Sequence, residues 1–197
     1  MRSSWRISKL LRVVVTATAL ALSFSSPGSA QSMPVPTGAQ AELIAKLAGF
    51  DRNFAARAGG KAIILLAAMP GNAESMSAAL EMKAAFARVP TVGNLPHEEQ
   101  VVTYTTPAAL AELVRSKRAA IVYLGPGFDK QIPAIRDAFS ALDVLSVGAI
   151  PDYVPSGVVL GFDLVSGRPK LLIHVVQARK QKVVFPASVL SLMKVYP

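Results

Sequence analysis

The 197-residue chain is 52% hydrophobic, has a formal net charge of +9 and contains no cysteine. A chain of this length and apolar content can bury one sizeable core, so a single domain is the expectation. The lack of cysteine excludes disulfides, thiolate metal sites and a cysteine nucleophile.

The N-terminal residues 1–30 are predicted to be a secretory signal peptide cleaved near Ala30. Residues 1–12 carry four cations and no acid, residues 13–24 are apolar or small, and Gly28 and Ser29 precede the cleavage point. The apolar run is shorter than the roughly 20 residues that cross a bilayer, which argues against a retained anchor. Export would remove those four cations and leave a mildly basic mature chain of formal charge +5.

A mildly basic, exported chain argues against nucleic acid as a partner. Nucleic-acid binding favours a dense Lys/Arg patch with interleaved aromatic residues, and the sequence shows none. An acidic protein face, a cell-wall polymer and anionic headgroups remain open as partners.

The mature chain is predicted to begin with a flexible leader over residues 31–38, followed by one domain over residues 39–197. Two prolines and small polar residues fill the leader. Helical spacing then predicts one amphipathic helix that ends at Gly59 and Gly60 and buries a row of four residues: Leu43, Leu47, Phe50 and Phe54.

Four strands alternate with helices through the middle of the chain. The predicted strands cover residues 61–68, 100–105, 119–124 and 144–150. Helices are predicted from Asn72 to about Arg88, with Met76, Leu80 and Phe86 inward, from Thr106 to Arg118, and from Ile132 to Leu142. Such alternation predicts an α/β three-layer sandwich, with a mostly parallel sheet and helices on both faces.

The last third of the chain departs from this alternation. Residues 158–165 and 170–176 flank Ser166-Gly167-Arg168-Pro169, which predicts a C-terminal antiparallel hairpin. A basic turn over residues 177–182 and a final helix from Pro186, burying Val189, Leu190 and Met193, complete the prediction.

The loops that follow the predicted parallel strands are the expected place for a small-molecule ligand. Ligands of open α/β sheets bind beyond the carboxyl ends of the strands, where helix N-termini present free N–H groups. Structural turns explain the same glycines and prolines equally well. The candidate ligand residues in these loops are Asn72, Thr106, Gly125, Gly127, Asp152 and Tyr153.

A run of cations near the C-terminus is the clearest surface feature of the sequence. It suggests a docking patch for an acidic partner, although a solvated turn accounts for it as well. The candidate patch residues are Arg168, Lys170, Arg179, Lys180 and Lys182.

No pattern of residues in the sequence indicates a catalytic site, a metal site or a cofactor site. His97 is expected in a solvated loop and His174 in the hairpin, so the two histidines form no ligand pair. Lys130 stands where a dinucleotide loop beginning at Gly125 needs its third glycine, and no serine lies in a nucleophile elbow. The sequence therefore predicts a protein without cofactor, metal site or enzymatic activity.

The order of segments in the last third resembles the YfiR-like periplasmic family. The resemblance is carried by GVVLGFDLVSGRPKLLIHVVQARK followed by FPASVLSLMKV, by the strand IVYL before a glycine, and by VLSV ahead of Pro151. It implies a periplasmic α/β sandwich that pairs with itself and senses or inhibits a membrane-bound signalling enzyme, typically one that makes cyclic di-GMP. Family members commonly carry cysteines, so redox control does not transfer to this chain.

Two functional hypotheses follow. The first is a non-enzymatic periplasmic regulator that acts by protein contact on a membrane-bound signalling protein. The second is a periplasmic domain that binds a small ligand, such as a solute or a cell-wall fragment, at the strand-end loops.

Overall fold

The computed structural model describes residues 33–197. The predicted signal peptide over residues 1–30 lies outside this part of the chain. Within residues 33–197, no helix has the length and apolar character needed to cross a membrane.

Seven strands, seven α-helices and one short 3-10 helix (Pro151–Tyr153) make up the described domain. The helices are α1 (Thr37–Ala48), α2 (Phe54–Ala58), α3 (Ala73–Phe86), α4 (Pro107–Lys117), α5 (Ile132–Phe139), α6 (Val175–Lys180) and α7 (Ala187–Leu190). The strands are β1 (Ala62–Ala68), β2 (His97–Thr103), β3 (Ala119–Leu124), β4 (Leu145–Gly148), β5 (Leu160–Val165), β6 (Arg168–His174) and β7 (Lys194–Tyr196).

The strands form one sheet in the order β2-β1-β3-β4-β5-β6-β7. Strands β2, β1, β3, β4 and β5 are parallel, β6 runs antiparallel to β5, and β7 runs parallel to β6. Helix α1 packs against α3, and α4 packs against α5, on the sheet they enclose. The predicted α/β sandwich with a mostly parallel sheet and a C-terminal antiparallel hairpin is confirmed.

The centre of the core lies on β1 and β3. Nearly every side chain of these strands is buried, because helices cover both faces of an interior parallel strand. This burial is visible in the sequence as two runs without a charged residue, AIILLAA in β1 and AAIVYL in β3.

The first predicted helix is two helices in the structure. Helix α1 ends at Ala48, and Phe50, predicted to be inward, is 53% exposed. The break allows the Asp51 carboxylate to accept the N–H groups of Asn53 and Val184. Packing thus overrides the helical spacing at this point.

The last residues of the predicted flexible leader are ordered parts of the domain in the structure. Helix α1 begins at Thr37, Val35 is fully buried, and the Gln40 side chain donates a hydrogen bond to the Val35 carbonyl at 2.8 Å. These contacts place the end of the leader on the domain.

Two further predictions from the sequence are wrong, namely that Leu80 faces the core and that His97 lies in a solvated loop. Leu80 is 53% exposed, because α3 turns Ala79, Met82 and Phe86 toward the core instead. His97 opens β2 and is largely buried, with one ring nitrogen on the Glu99 carboxylate and the other on the Val89 carbonyl.

The C-terminal segment contains more structure than the sequence indicated. The predicted basic turn is helix α6, capped by the His174 side chain, and the predicted final helix is the short α7 followed by β7. The hairpin turn is the pair Ser166-Gly167, both at positive φ, so β6 begins at Arg168 and includes Pro169.

Candidate functional site

The two ends of the sheet are named here by the direction of the parallel strands. The carboxyl end of the sheet holds the loops that follow β1 to β4, and it is where the candidate ligand residues lie. The amino end of the sheet holds the segments that precede these strands.

Two of the candidate ligand residues are helix caps. The Asn72 Oδ1 atom accepts the N–H of Ser75 at 2.9 Å at the start of α3, and the Thr106 Oγ1 atom accepts the N–H of Ala109 at 3.1 Å at the start of α4. Both side chains thereby satisfy helix N–H groups that would otherwise face the loop.

The glycine loop after β3 lies directly against the loop after β1. Gly127 has a φ of +88°, and a Cβ atom built there would stand 2.6 Å from the Asn72 Nδ2 atom. Gly125 lies beside Ser75 with room for ordinary contact. Glycine at position 127 is therefore required by both the backbone conformation and the close approach of Asn72.

Tyr153 closes the same cluster from the loop after β4. Its side chain is 1% exposed, and its hydroxyl oxygen accepts the N–H of Phe128 at 2.8 Å. Burial raises the pKa of Tyr153, so the hydroxyl stays neutral. Asp152, its neighbour, is exposed at the margin of the cluster.

Two aromatic residues that the sequence analysis did not select complete this packing. Tyr104 and Phe128 meet edge to face with ring centroids 5.2 Å apart, and the Tyr104 hydroxyl donates to Gln131 at 3.2 Å. Tyr104 falls at the end of the predicted strand 100–105 and Phe128 directly follows Gly127, and these positions could have indicated them. The carboxyl end thus brings Asn72, Gly125, Gly127 and Tyr153 together and fills the space between them.

The candidate docking residues fall at opposite ends of the sheet. Arg168 and Lys170 open β6 at the hairpin turn, which lies beyond the carboxyl end. Arg179, Lys180 and Lys182 follow β6 at the amino end, where the Lys180 carbonyl accepts the N–H of Ala141. Because β6 separates them by roughly 20 Å of strand, the five cations do not form one continuous patch.

The hairpin projects beyond the rest of the sheet. Strand β4 pairs with β5 only as far as Gly148 and Gly161, so Phe162 to Val165 extend roughly 13 Å past β4. The Lys170 ammonium donates to the Leu192 carbonyl at 3.0 Å, which holds the segment before β7 against the hairpin.

Exposed apolar side chains concentrate in the C-terminal part of the described chain. Six of the eight large apolar residues exposed in the described chain lie after residue 160. Four of them belong to the hairpin and the segment around β7, and we call these four the C-terminal apolar surface: Leu164 (43% exposed), Val165 (52%), Leu192 (64%) and Val195 (51%).

A buried ion network organises the amino end. The Arg57 guanidinium, 2% exposed, contacts the Asp51 carboxylate at 2.7 Å and the Asp143 carboxylate at 2.6 Å. It also donates to the Lys182 carbonyl at 3.2 Å. Three segments that are distant in sequence are tied together by this one side chain, which the sequence analysis did not identify.

Among residues 33–197, no group of three or more His, Asp or Glu side chains is placed to hold a metal ion.

The YfiR/HmsC-like family model matches residues 39–194, which is almost all of the described domain. The chain belongs to the YfiR/HmsC-like family. The resemblance inferred from the C-terminal segments is therefore confirmed. A comparison with curated proteins finds no match.

Three solved structures share the fold with this YfiR/HmsC-like chain. A conserved domain protein from Vibrio cholerae O1 biovar El Tor strain N16961 has a TM-score of 0.54 at 15% identity, with 82% of this chain and 60% of that chain covered. An ABC domain from Streptococcus pneumoniae in complex with L-Trp has a TM-score of 0.54 at 14% identity, with coverages of 82% and 62%.

The third is the ligand-free, open structure of CD0873, a substrate-binding protein with adhesive properties from Clostridium difficile. It has a TM-score of 0.53 at 9% identity, with 73% of this chain and 57% of that chain covered. The present chain spans about three-fifths of the length of these proteins, and at such identities the likeness is one of fold.

Proposed function

We propose that this chain is a non-enzymatic regulator, exported to the periplasm, that acts by contact on a membrane-bound signalling protein. The signalling protein is one whose activity sets the level of cyclic di-GMP. Membership of a regulatory family supports the class of function. The proposal covers export and cleavage near Ala30 as well, because the N-terminal sequence has the three parts of a signal peptide.

The observation that carries the proposal is the C-terminal apolar surface. Exposed Leu and Val side chains along the hairpin and the last strand, at one edge of the sheet, are typical of a surface that a protein partner covers. Strand β7 also ends the sheet and leaves its outer backbone groups unpaired by any described strand, so an added strand from a partner has a place to bind.

Cations beside the apolar side chains suggest the charge of the partner. Arg168 is exposed at the hairpin turn, and Lys194 lies on β7 with its ammonium 5.0 Å from the centre of the Tyr196 ring. An acidic face on the partner would complement them and accelerate association.

The decisive experiment compares two variants in a strain that lacks the gene. The double variant Leu164→Glu, Leu192→Glu places charges on the C-terminal apolar surface, and Leu80→Glu places one charge on an equally exposed leucine of α3. Cyclic di-GMP is measured by mass spectrometry, together with the amount of exported protein.

Deletion is expected to change cyclic di-GMP several-fold, Leu80→Glu to restore the wild-type level, and the double variant to fail although it accumulates normally. An unchanged cyclic di-GMP level on deletion would refute the signalling role. Full restoration of the wild-type cyclic di-GMP level by the double variant would refute the role of the C-terminal apolar surface in contacting the partner.

A second candidate function is small-ligand binding in the periplasm. A cleft at the amino end of the sheet favours it, whereas the strand-end loops first expected to bind the ligand are filled by Phe128 and Tyr153. A thermal-shift panel of amino acids, sugars and muropeptides tests this candidate. A stabilisation of several degrees by one of them would support it, and no shift across the panel would remove these three classes of ligand.

A further inference from the structure

A recess at the amino end of the sheet gathers cations from two distant parts of the chain. The cleft has a volume of about 600 Å³ and lies between the turn after α2 and the end of α4. Its floor includes the apolar side chains of Ile63 and Val114, and its rim carries Lys61, Arg115, Lys117 and Arg118. We call this recess the basic cleft.

The charges of the basic cleft are poorly balanced within the protein. Arg57 and Asp143 also line it, and because Arg57 pairs with both Asp51 and Asp143, this network carries one excess negative charge, which the four rim cations outnumber. Lys61 pairs with Glu98, and Arg115 approaches Glu112 only at 3.4 Å with both side chains exposed. No ion pair in the described part of the chain involves Lys117 or Arg118.

Helix α4 accounts for only part of this arrangement. Cations in the last turn of a helix interact favourably with its carbonyl end, which explains Arg115 and Lys117. It does not explain why Lys61, which precedes β1, shares the same recess. Nor does it explain Arg118, which lies after the helix.

Arg118 occupies a backbone conformation that usually belongs to glycine. Its φ and ψ are 50° and 46°, the left-handed conformation that ends many helices and that a Cβ atom disfavours. The chain keeps an arginine there at the expense of backbone strain, and β3 begins at the next residue.

Backbone strain of this kind is concentrated around the basic cleft. Residues 33–197 contain five non-glycine residues at positive φ; four lie at the amino end of the sheet, Asn94 among them, and the other three lie near the basic cleft. Besides Arg118, they are Ala141, which precedes the lining residues Leu142 and Asp143, and Lys182, whose carbonyl receives Arg57. Strained residues persist where the surrounding structure holds them, and they are frequent at functional sites.

We infer that the basic cleft binds a small organic phosphate, with the phosphate dianion between Lys61, Lys117 and Arg118 and the apolar part of the ligand against Ile63 and Val114. A cleft of this volume is within the range of small-molecule sites. Guanidinium and ammonium groups match the charge and the acceptor oxygens of a phosphate. Two negative charges are favoured because several cations face the recess.

Phenyl phosphate, phenol and inorganic phosphate are suitable probes for the full mature chain. Phenyl phosphate offers both the dianion and an apolar ring, while each of the other two offers one of them. Isothermal titration calorimetry at low salt is expected to show phenyl phosphate binding at least about tenfold more tightly than either, and binding is expected to weaken as salt rises.

The variants Arg118→Gly and Lys117→Gln test the residues, with Lys83→Gln on the exposed face of α3 as the control for loss of one charge. Each cleft variant is expected to weaken phenyl phosphate binding at least about threefold, and the control to leave it unchanged. Arg118→Gly should at the same time raise the melting temperature, because glycine relieves the strain.

Loss of binding with a gain in stability separates a binding role from a structural one. Equal affinity of phenyl phosphate and phenol, or wild-type affinity in both cleft variants, would overturn the inference. Failure of these titrations leaves the proposed regulatory surface intact, because that surface lies on the hairpin and β7.

Discussion

The two ends of the sheet differ in how far their polar and charged groups are satisfied within the protein. At the carboxyl end, polar groups find partners within the loops: Asn72 and Thr106 cap helices and the Tyr153 hydroxyl holds the backbone of Phe128. At the amino end, cations outnumber the acids beside them, and strained residues border a recess. A closed cluster stabilises the fold, whereas a recess with unbalanced charge offers interactions to another molecule.

The largest expected effect comes from breaking the ion network of the amino end. Replacing Arg57 by alanine leaves the buried Asp51 carboxylate without its cation, and we expect the free energy of unfolding to fall by about 3–5 kcal/mol. Urea denaturation followed by circular dichroism measures it.

The matched control is Arg52→Ala, which removes an exposed arginine from the same segment and is expected to change stability by less than about 0.5 kcal/mol. Equal losses for the two variants would show that the network does not hold the amino end together.

The carboxyl end is tested by removing one oxygen atom. Tyr153→Phe leaves the buried N–H of Phe128 without its acceptor, so we expect a loss of about 1–3 kcal/mol in the free energy of unfolding. Tyr104→Phe, which removes a donor from a partly buried bond to Gln131, should cost less.

Hydrogen exchange at the Phe128 amide gives a local measure of the same change. Faster exchange is expected in Tyr153→Phe and wild-type exchange in Tyr104→Phe. Unchanged protection in both would mean that the cluster is open to water already.

The smallest effect is a pH dependence at the amino end. Burial lowers the pKa of His174, and the nearby charges of Arg136 and Lys180 act in the same direction. The neutral ring caps α6 by accepting the N–H of Gln177 at 3.3 Å. The unfolded chain therefore binds a proton more readily than the folded one.

This contribution is fully present above the ordinary histidine pKa of about 6.5 and is lost as the pH falls through the lower folded value. His174→Asn keeps a capping acceptor but does not titrate, so its stability should fall less between about pH 7.5 and 5. Denaturation midpoints of both proteins across this range provide the measurement, and parallel curves would exclude His174 as the source.

The strands and their order of alternation were predictable because burial on both faces leaves a direct trace in sequence. The continuous apolar runs of β1 and β3 and the caps Asn72 and Thr106 are local signals, and the structure reproduces them. Helix periodicity was less reliable: Phe50 and Leu80 satisfy helical spacing yet face solvent. The neighbours that decide such cases come from elsewhere in the chain.

The candidate sites illustrate the same limit. The sequence grouped Arg168 with Lys182 because they are close in the chain, but an antiparallel strand carries them to opposite ends of the sheet. Conversely, Lys61 and Arg118 are far apart in sequence and meet because β1 and β3 are adjacent parallel strands.

The sequence by itself determined the fold class, the antiparallel hairpin and the family, since each depends on local hydrophobic periodicity and on the order of segments. Only the tertiary structure decided that the strand-end loops are filled, that Arg57 joins three segments, and that cations from distant segments surround a recess at the amino end. The physical reason is that contacts between distant segments depend on strand register and side-chain volume, and neither is encoded within a short window of residues.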